Sequence, residues 1–260
     1  MGLKRHGSYR KSKRSRRGRR RSFRGLVSFI CFVMILAAIV SAAVIFFKIG
    51  SVEVIGDTKY TDQQIISASG ITTGQSMFLF NKFASISSIF AECPYIDEIQ
   101  MRRSLPDVIQ IIVTPCTPTA VIESTDGSYI IDIKGKILEK TGISEASGLP
   151  VVRGGQLDTP EIGKYVVFSE EESSKALFSV LNTAKNSDIL ENISDIDITK
   201  VYDIKFKYLG RFIVEIGSVD DIERKFKFAD AVVGSLGDND MGIIDVSSGQ
   251  TGYFTQDRTI

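Results

Sequence analysis

The chain has 260 residues, a formal net charge of +1, one histidine, three cysteines and no tryptophan. That near-neutral total hides a split: residues 1–24 hold twelve Lys or Arg and no acid, whereas residues 25–260 carry 20 basic against 31 acidic side chains, a net of −11. An acidic body of this kind is not built to hold nucleic acid. A lone histidine at position 6 excludes a His-based triad, a His general base or a His metal site in everything that follows.

Residues 25–47 run without a charge until Lys48. As a helix they rise roughly 34 Å, enough to cross a hydrocarbon core of about 30 Å. All the cations lie on the N-terminal flank, so the positive-inside rule places the N-terminus in the cytoplasm and residues 49–260 beyond the membrane. Ser41-Ala42-Ala43 would suit signal peptidase, but cleavable apolar cores usually run about 7–15 residues, so this longer run reads as a retained anchor. The basic tail, residues 1–24, then orients the helix and attracts anionic lipid, at about 1 kcal/mol per basic residue near the surface.

Ser51–Gly56 alternates and stops at Gly56-Asp57, which predicts a strand. Thr61 followed by Gln64 forms a capping-box pattern opening a helix that Gly70 ends. Asn81 can cap a second helix, with Phe83, Ile86, Ile89 and Phe90 on one face, and Pro94 bars its continuation. Ile96–Arg103 and Val108–Val113 read as strands joined at Ser104–Asp107. The order is β-α-α-β-β, a three-stranded sheet with two helices on one face. A hairpin folding about 105–106 brings Cys93 near Cys116, either as a disulfide adding about 3–4 kcal/mol or as two small buried thiols.

This segment resembles a POTRA domain of the FtsQ/DivIB cell-division type. The likeness is carried by Val52–Gly56, Gly70-Ile71 with Gly74 and Phe78, Pro94, and Arg103-Ser104-Leu105-Pro106-Asp107 leading into Ile109–Val113. After the last strand the family usually shows an acid and an arginine before Pro-x-Ala; here Pro115 and Cys116 stand there, so that pair is not carried over.

Past Thr114–Pro118, short strands are predicted over Thr119–Glu123, Tyr129–Asp132 and Lys136–Glu139, separated by Asp126-Gly127 and Lys134-Gly135. A loop region follows, through Leu149-Pro150-Val151 as a turn and Gly154-Gly155 to Pro160. Ser169 with Glu172 suggests a cap for a helix carrying Ala176, Leu177, Val180 and Leu181 inward. Ile193–Ile198, Asp203–Tyr208 and Phe212–Ile216 alternate as strands. A second helix begins near Asp220-Asp221 and buries Ile222, Phe226, Ala229 and Val233. Gly242–Val246 and Thr251–Phe254 close the pattern as strand, around a bend at Ser247-Ser248-Gly249. Tyr129–Asp132, Leu149–Val151, Ile244–Val246 and Gly249 through Tyr253 resemble the β domain that follows POTRA in the same family.

The expected fold is thus a single-pass membrane anchor (25–47) plus an exported α+β region. A POTRA-like β-α-α-β-β domain (49–117) is followed by a mainly antiparallel α+β domain (118–254) and a short tail (255–260). No catalytic constellation, cofactor site or metal site emerges. Asp238-Asn239-Asp240 lacks the spacing and distant Glu of a calcium loop, and Asp195 with Asp197 is an acid pair of the kind common on exposed strands.

Binding at a sheet edge is what remains. The final segment offers Ile243, Ile244, Val246, Gly249, Tyr253 and Phe254; alternatively these residues close the core and residues 255–260 cover the edge. The resemblance implies a non-enzymatic divisome scaffold at the septum. It would bind partners of the FtsB/DivIC and FtsL type beside its last strand and help regulate septal peptidoglycan synthesis. The alternatives are another POTRA-bearing envelope protein, for secretion or assembly, and an enzyme acting on the cell wall.

Overall fold

The computed structural model describes residues 19–142 and 148–257. Most of the basic tail, with His6, and the last three residues of the 255–260 tail lie outside the described residues. Two compact units divide the chain: Met1–Ser51 with Thr72–Phe80 and Arg103–Ile109, and the remainder.

In the first unit, α1 (Arg19–Phe46) contains one window, Arg24–Phe46, long and apolar enough to cross a membrane. None of that window is buried against protein.

Strand β1 (Ser51–Ile55), helices α2 (Asp62–Ser69) and α3 (Lys82–Glu92), and strands β2 (Ile96–Ser104) and β3 (Val108–Pro115) follow the β-α-α-β-β order, with most of their residues in the second unit. The sheet runs β1-β3-β2. Local chemistry sets both helices. The Thr61 hydroxyl accepts the Gln64 N–H while the Gln64 side chain accepts the Thr61 N–H, and Gly70 closes α2 in the left-handed region. Asn81 Oδ1 accepts the Ala84 N–H to start α3. One expectation fails on α3: Phe83 is 81% exposed, because Ser85 and Ile89 supply the buried stripe and Ile86 and Phe90 only flank it.

The hairpin register is as expected, since the Cys116 N–H donates to the Tyr95 carbonyl at 2.8 Å. The disulfide is not formed. Both thiols are free and buried, and Cys116 Sγ instead faces the Pro94 carbonyl at 3.7 Å.

The second unit also holds a nine-stranded sheet built from β4 (Pro118–Ser124), β5 (Gly127–Asp132), β6 (Ile137–Thr141), β7 (Val151–Arg153), β8 (Ile193–Asp197), β9 (Ile204–Tyr208), β10 (Phe212–Gly217), β11 (Gly242–Asp245) and β12 (Tyr253–Gln256). Their order is β12-β11-β10-β9-β8-β7-β4-β5-β6. The sheet is mainly antiparallel, as expected, with three parallel pairings within it: β4–β7, β7–β8 and β10–β11.

Strand β7 overturns the expected turn and loop. It sits mid-sheet between two sequence-distant strands, where its three residues complete both ladders. Helices α4 (Glu171–Asn186) and α5 (Ile222–Ser235) cover one face, burying Ala176, Leu177, Val180, Leu181, Phe226 and Ala229 against Phe206, Phe212, Val214 and Ile244. Ile222 and Val233 are only half-buried, and Lys225 is buried instead, its Nζ donating to the Ser218 carbonyl at 2.7 Å. Ser169 does not cap α4. Its N–H is held by the Gln156 carbonyl beside the Leu157–Phe168 bridge, so Glu170 takes the cap position without a side-chain bond.

Candidate partner-binding edge

The sheet has two ends, and they differ in what covers them. At the β6 end both faces are buried. Tyr95, Cys116, Val121, Ile130 and Leu138 form a second cluster on the face away from α4 and α5, with Tyr60 and Leu149 packed on it. Outside β6, the Ile137 N–H donates to the Lys164 carbonyl and the Gly163 N–H to the Ile137 carbonyl, both at 2.8 Å.

Ionic groups add to this closure. Lys134 Nζ reaches both carboxylate oxygens of Asp97 at 2.7 and 2.8 Å. Lys136, 6% exposed, donates to the Ile96 carbonyl at 2.7 Å and lies 5.1 Å from the Phe90 ring centre. Lys59 pairs with Glu139 at 2.8 Å and sits 4.0 Å over the Tyr95 ring.

Asp97, Cys116 and Asp132 approach one another closely enough to suggest metal ligands. The Asp97 carboxylate is held by Lys134, and Asp132 Oδ1 accepts the N–H groups of Lys134 and Lys136 at 2.9 and 2.7 Å. Burial holds the Cys116 thiol neutral, its pKa pushed up to about 11.

The β12 end is built differently. Strand β11 lies between β10 and β12, so it is internal. Two of the expected contact residues, Ile244 and Val246, are fully buried in the α5-covered core, and Gly249 is buried at a left-handed turn; none of the three can be a surface contact. Ile243 points to the opposite face, in a row with Ile213 and Thr255, and is half-buried. The Phe254 ring packs edge-on against Phe212 at 6.2 Å, while Tyr253 is 63% exposed.

Hydrogen-bond parity identifies which backbone groups face outward. The Gly242 and Val246 N–H groups donate to Arg211 and Glu215, toward β10, and the Asp257 N–H donates to the Met241 carbonyl. Bonding in an antiparallel ladder alternates, so residues 253 and 255 face β11. The N–H and C=O of Phe254 and Gln256 therefore point away from the sheet, and among the described residues no strand lies beyond them.

Two supports of this edge escaped the sequence reading. Gly242 has no room for a side chain, since a Cβ there would collide with the Thr255 carbonyl oxygen. Arg211 Nη1 donates to the Gly237 and Asp240 carbonyls at 2.7 and 3.2 Å, closing the acidic loop before β11. Gln256 also lay past the expected strand end, although Tyr253-Phe254-Thr255 has the β-branched and aromatic composition of a longer strand.

The other acid pair is likewise engaged. Asp195 meets Arg153 Nη1 at 2.7 Å, with burial outweighing that cation to hold its carboxyl above the usual range, and Asp197 accepts the Thr199 N–H at 2.9 Å.

Residues 47–114 match the family model for the POTRA domain, FtsQ-type, and residues 120–247 match that for cell division protein FtsQ/DivIB, C-terminal. The chain is 29% identical over 213 residues to cell division protein DivIB of Clostridium botulinum (strain Hall), covering 81% of this chain and 82% of that protein. It is 26% identical over 188 residues to cell division protein FtsQ of Corynebacterium glutamicum, covering 70% and 77%.

Proposed function

The chain belongs to the FtsQ/DivIB family of cell division proteins, and from that premise we propose that it is a non-enzymatic scaffold of the division septum. Helix α1 anchors it with the N-terminus in the cytoplasm, residues 49–117 form one exported domain and residues 118–254 the other. The distal domain captures an extended segment of a coiled-coil partner of the FtsB/DivIC and FtsL type and so helps regulate septal peptidoglycan synthesis.

The observation that carries this reading is the open β12 edge. The outward amides and carbonyls of Phe254 and Gln256 offer the ladder that an added strand needs, and exposed Tyr253 beside it offers an aromatic anchor.

Deleting residues 242–260 is too blunt a test, because β11 carries Ile244 into the core. Gln256→Pro is sharper. Its N–H faces outward, so proline removes a donor the partner needs while leaving the β11 ladder intact. The full chain should capture a DivIC/FtsL-like pair from detergent-solubilised membranes, and Gln256→Pro should lose that capture with an unchanged circular dichroism spectrum. Undiminished capture by the folded variant would refute docking at this edge.

A further inference from the structure

The first unit contains a feature that the docking edge does not use. The charge-free run ends at Phe47, and the backbone immediately beyond it is tied to Gly74–Met77. The Met77 N–H donates to the Phe47 carbonyl at 2.9 Å, Lys48 bridges Ser76, and Ile49 exchanges bonds of 2.8 Å with Gln75 and Gly74. The Phe47 ring meets Phe78 edge-on at 5.7 Å. Ile49 and Met77 are fully buried, so the connection is packed as well as hydrogen-bonded.

Next to this joint, apolar side chains face outward: Phe78 is 45% exposed and Leu79 71%. Arg103 stands among them, its Nε donating to the Met77 carbonyl at 2.8 Å and its guanidinium 5.3 Å from the Phe80 ring centre. The Leu105-Pro106 turn is held to the same joint by the Gly50 N–H, which donates to the Asp107 carbonyl at 2.7 Å, and Leu105 is 62% exposed.

We propose that the Ser76–Phe80 segment is a second membrane contact, a foot whose Phe78 and Leu79 enter the headgroup–acyl boundary of the bilayer that α1 spans, with Arg103 at phosphate level. This rests on the anchor reading of α1. Each headgroup layer is about 5–8 Å thick, and Phe78 lies within 5.7 Å of the last aromatic ring of the apolar run. An aromatic residue at that depth belongs to the interfacial belt. Burying the exposed apolar area there is favourable, and the arginine can reach the phosphates while its stem covers the rings.

The chain has no tryptophan, so a single introduced indole reports alone. Full-length Leu79→Trp and, separately, Phe32→Trp are reconstituted in phosphatidylcholine–phosphatidylglycerol vesicles containing lipids brominated near the headgroup or near the chain end. Leu79 is exposed, so the indole needs no room in the core. The expected result is that Phe32→Trp is quenched best by deep bromine and Leu79→Trp best by shallow bromine, with the latter's emission shifted to the blue and protected from aqueous iodide. If Phe32→Trp is quenched and Leu79→Trp is not, the foot is refuted while the anchor stands. If a protein partner covers Leu79 instead, iodide protection without bromine quenching shows it, which also refutes the lipid contact. If neither is quenched, the anchor reading fails and the foot with it.

Discussion

The two ends of the nine-stranded sheet have the same backbone problem and opposite solutions. At β6 the edge bonds go to Gly163 and Lys164, Ile137 and Leu138 are buried on opposite faces, and lysines at 59, 134 and 136 fasten the strand and its turn to the preceding β-α-α-β-β segment. At β12 one face rests on α5 through Phe254 and Phe212, and among the described residues no strand pairs with the outer ladder. On the proposed reading, an edge strand is a structural seam or a docking site according to what its neighbours cover. Substitutions at the first end should cost stability without binding, and at the second end binding without stability.

The largest effect expected at the closed end is Lys136→Met. It removes the ammonium that donates to the Ile96 carbonyl, at a position nearly free of solvent. Urea unfolding should show a loss of about 1–3 kcal/mol, with partner capture unchanged. Equal loss of capture would break the contrast between the two ends.

At the open end, Tyr253→Ala should weaken partner affinity about tenfold, corresponding to about 1.4 kcal/mol, as read by titration calorimetry. Its melting temperature should stay at the parent value, because the ring is mostly in water. A fall in stability without loss of affinity would make Tyr253 a core residue rather than an anchor.

The cysteines give a pH-dependent test of the closed end. Burial raises the Cys116 thiol from the ordinary 9.0 to about 11 and raises Cys93 as well. A group whose folded pKa lies above its unfolded one adds stability that is complete below pH 9.0 and is lost as pH climbs toward 11. Thermal melts should therefore decline across that window, and Cys116→Ala should decline less steeply. Reductant should shift neither curve, since both thiols are free.

The smallest effect belongs to Lys59→Ala. Hydrogen bonding to Glu139 is the main cause holding the Lys59 pKa above its usual value. Both partners are substantially exposed, so screening reduces the pair to at most about 1 kcal/mol. Repeating the melts in high salt should erase the difference.

What could be read from the chain divides by range. The Thr61–Gln64 box, the Asn81 cap and the left-handed Gly70 act within four residues, and each stands where the sequence placed it. The inward faces of α4 were also legible from spacing. Strand β7 was not, because three residues joining two parallel ladders leave no period to count. The docking edge was half legible: Ile244 and Val246 alternate as an edge strand would, but so does a central one, and only the pairing with β10 tells them apart. Tyr253 and Phe254 were found by composition, and Gly242 was missed because its role is the closeness of Thr255, a tertiary fact.

The parallel pairing of β10 with β11 has a consequence for the order in which this molecule is assembled. Between those strands the polypeptide must lay down all of α5 and return before β11 has a ladder to join, and β12 can pair only after that. The edge proposed for docking is therefore completed late in folding. If that proposal holds, a half-finished copy would present no grip, and capture would select molecules whose interior is already closed.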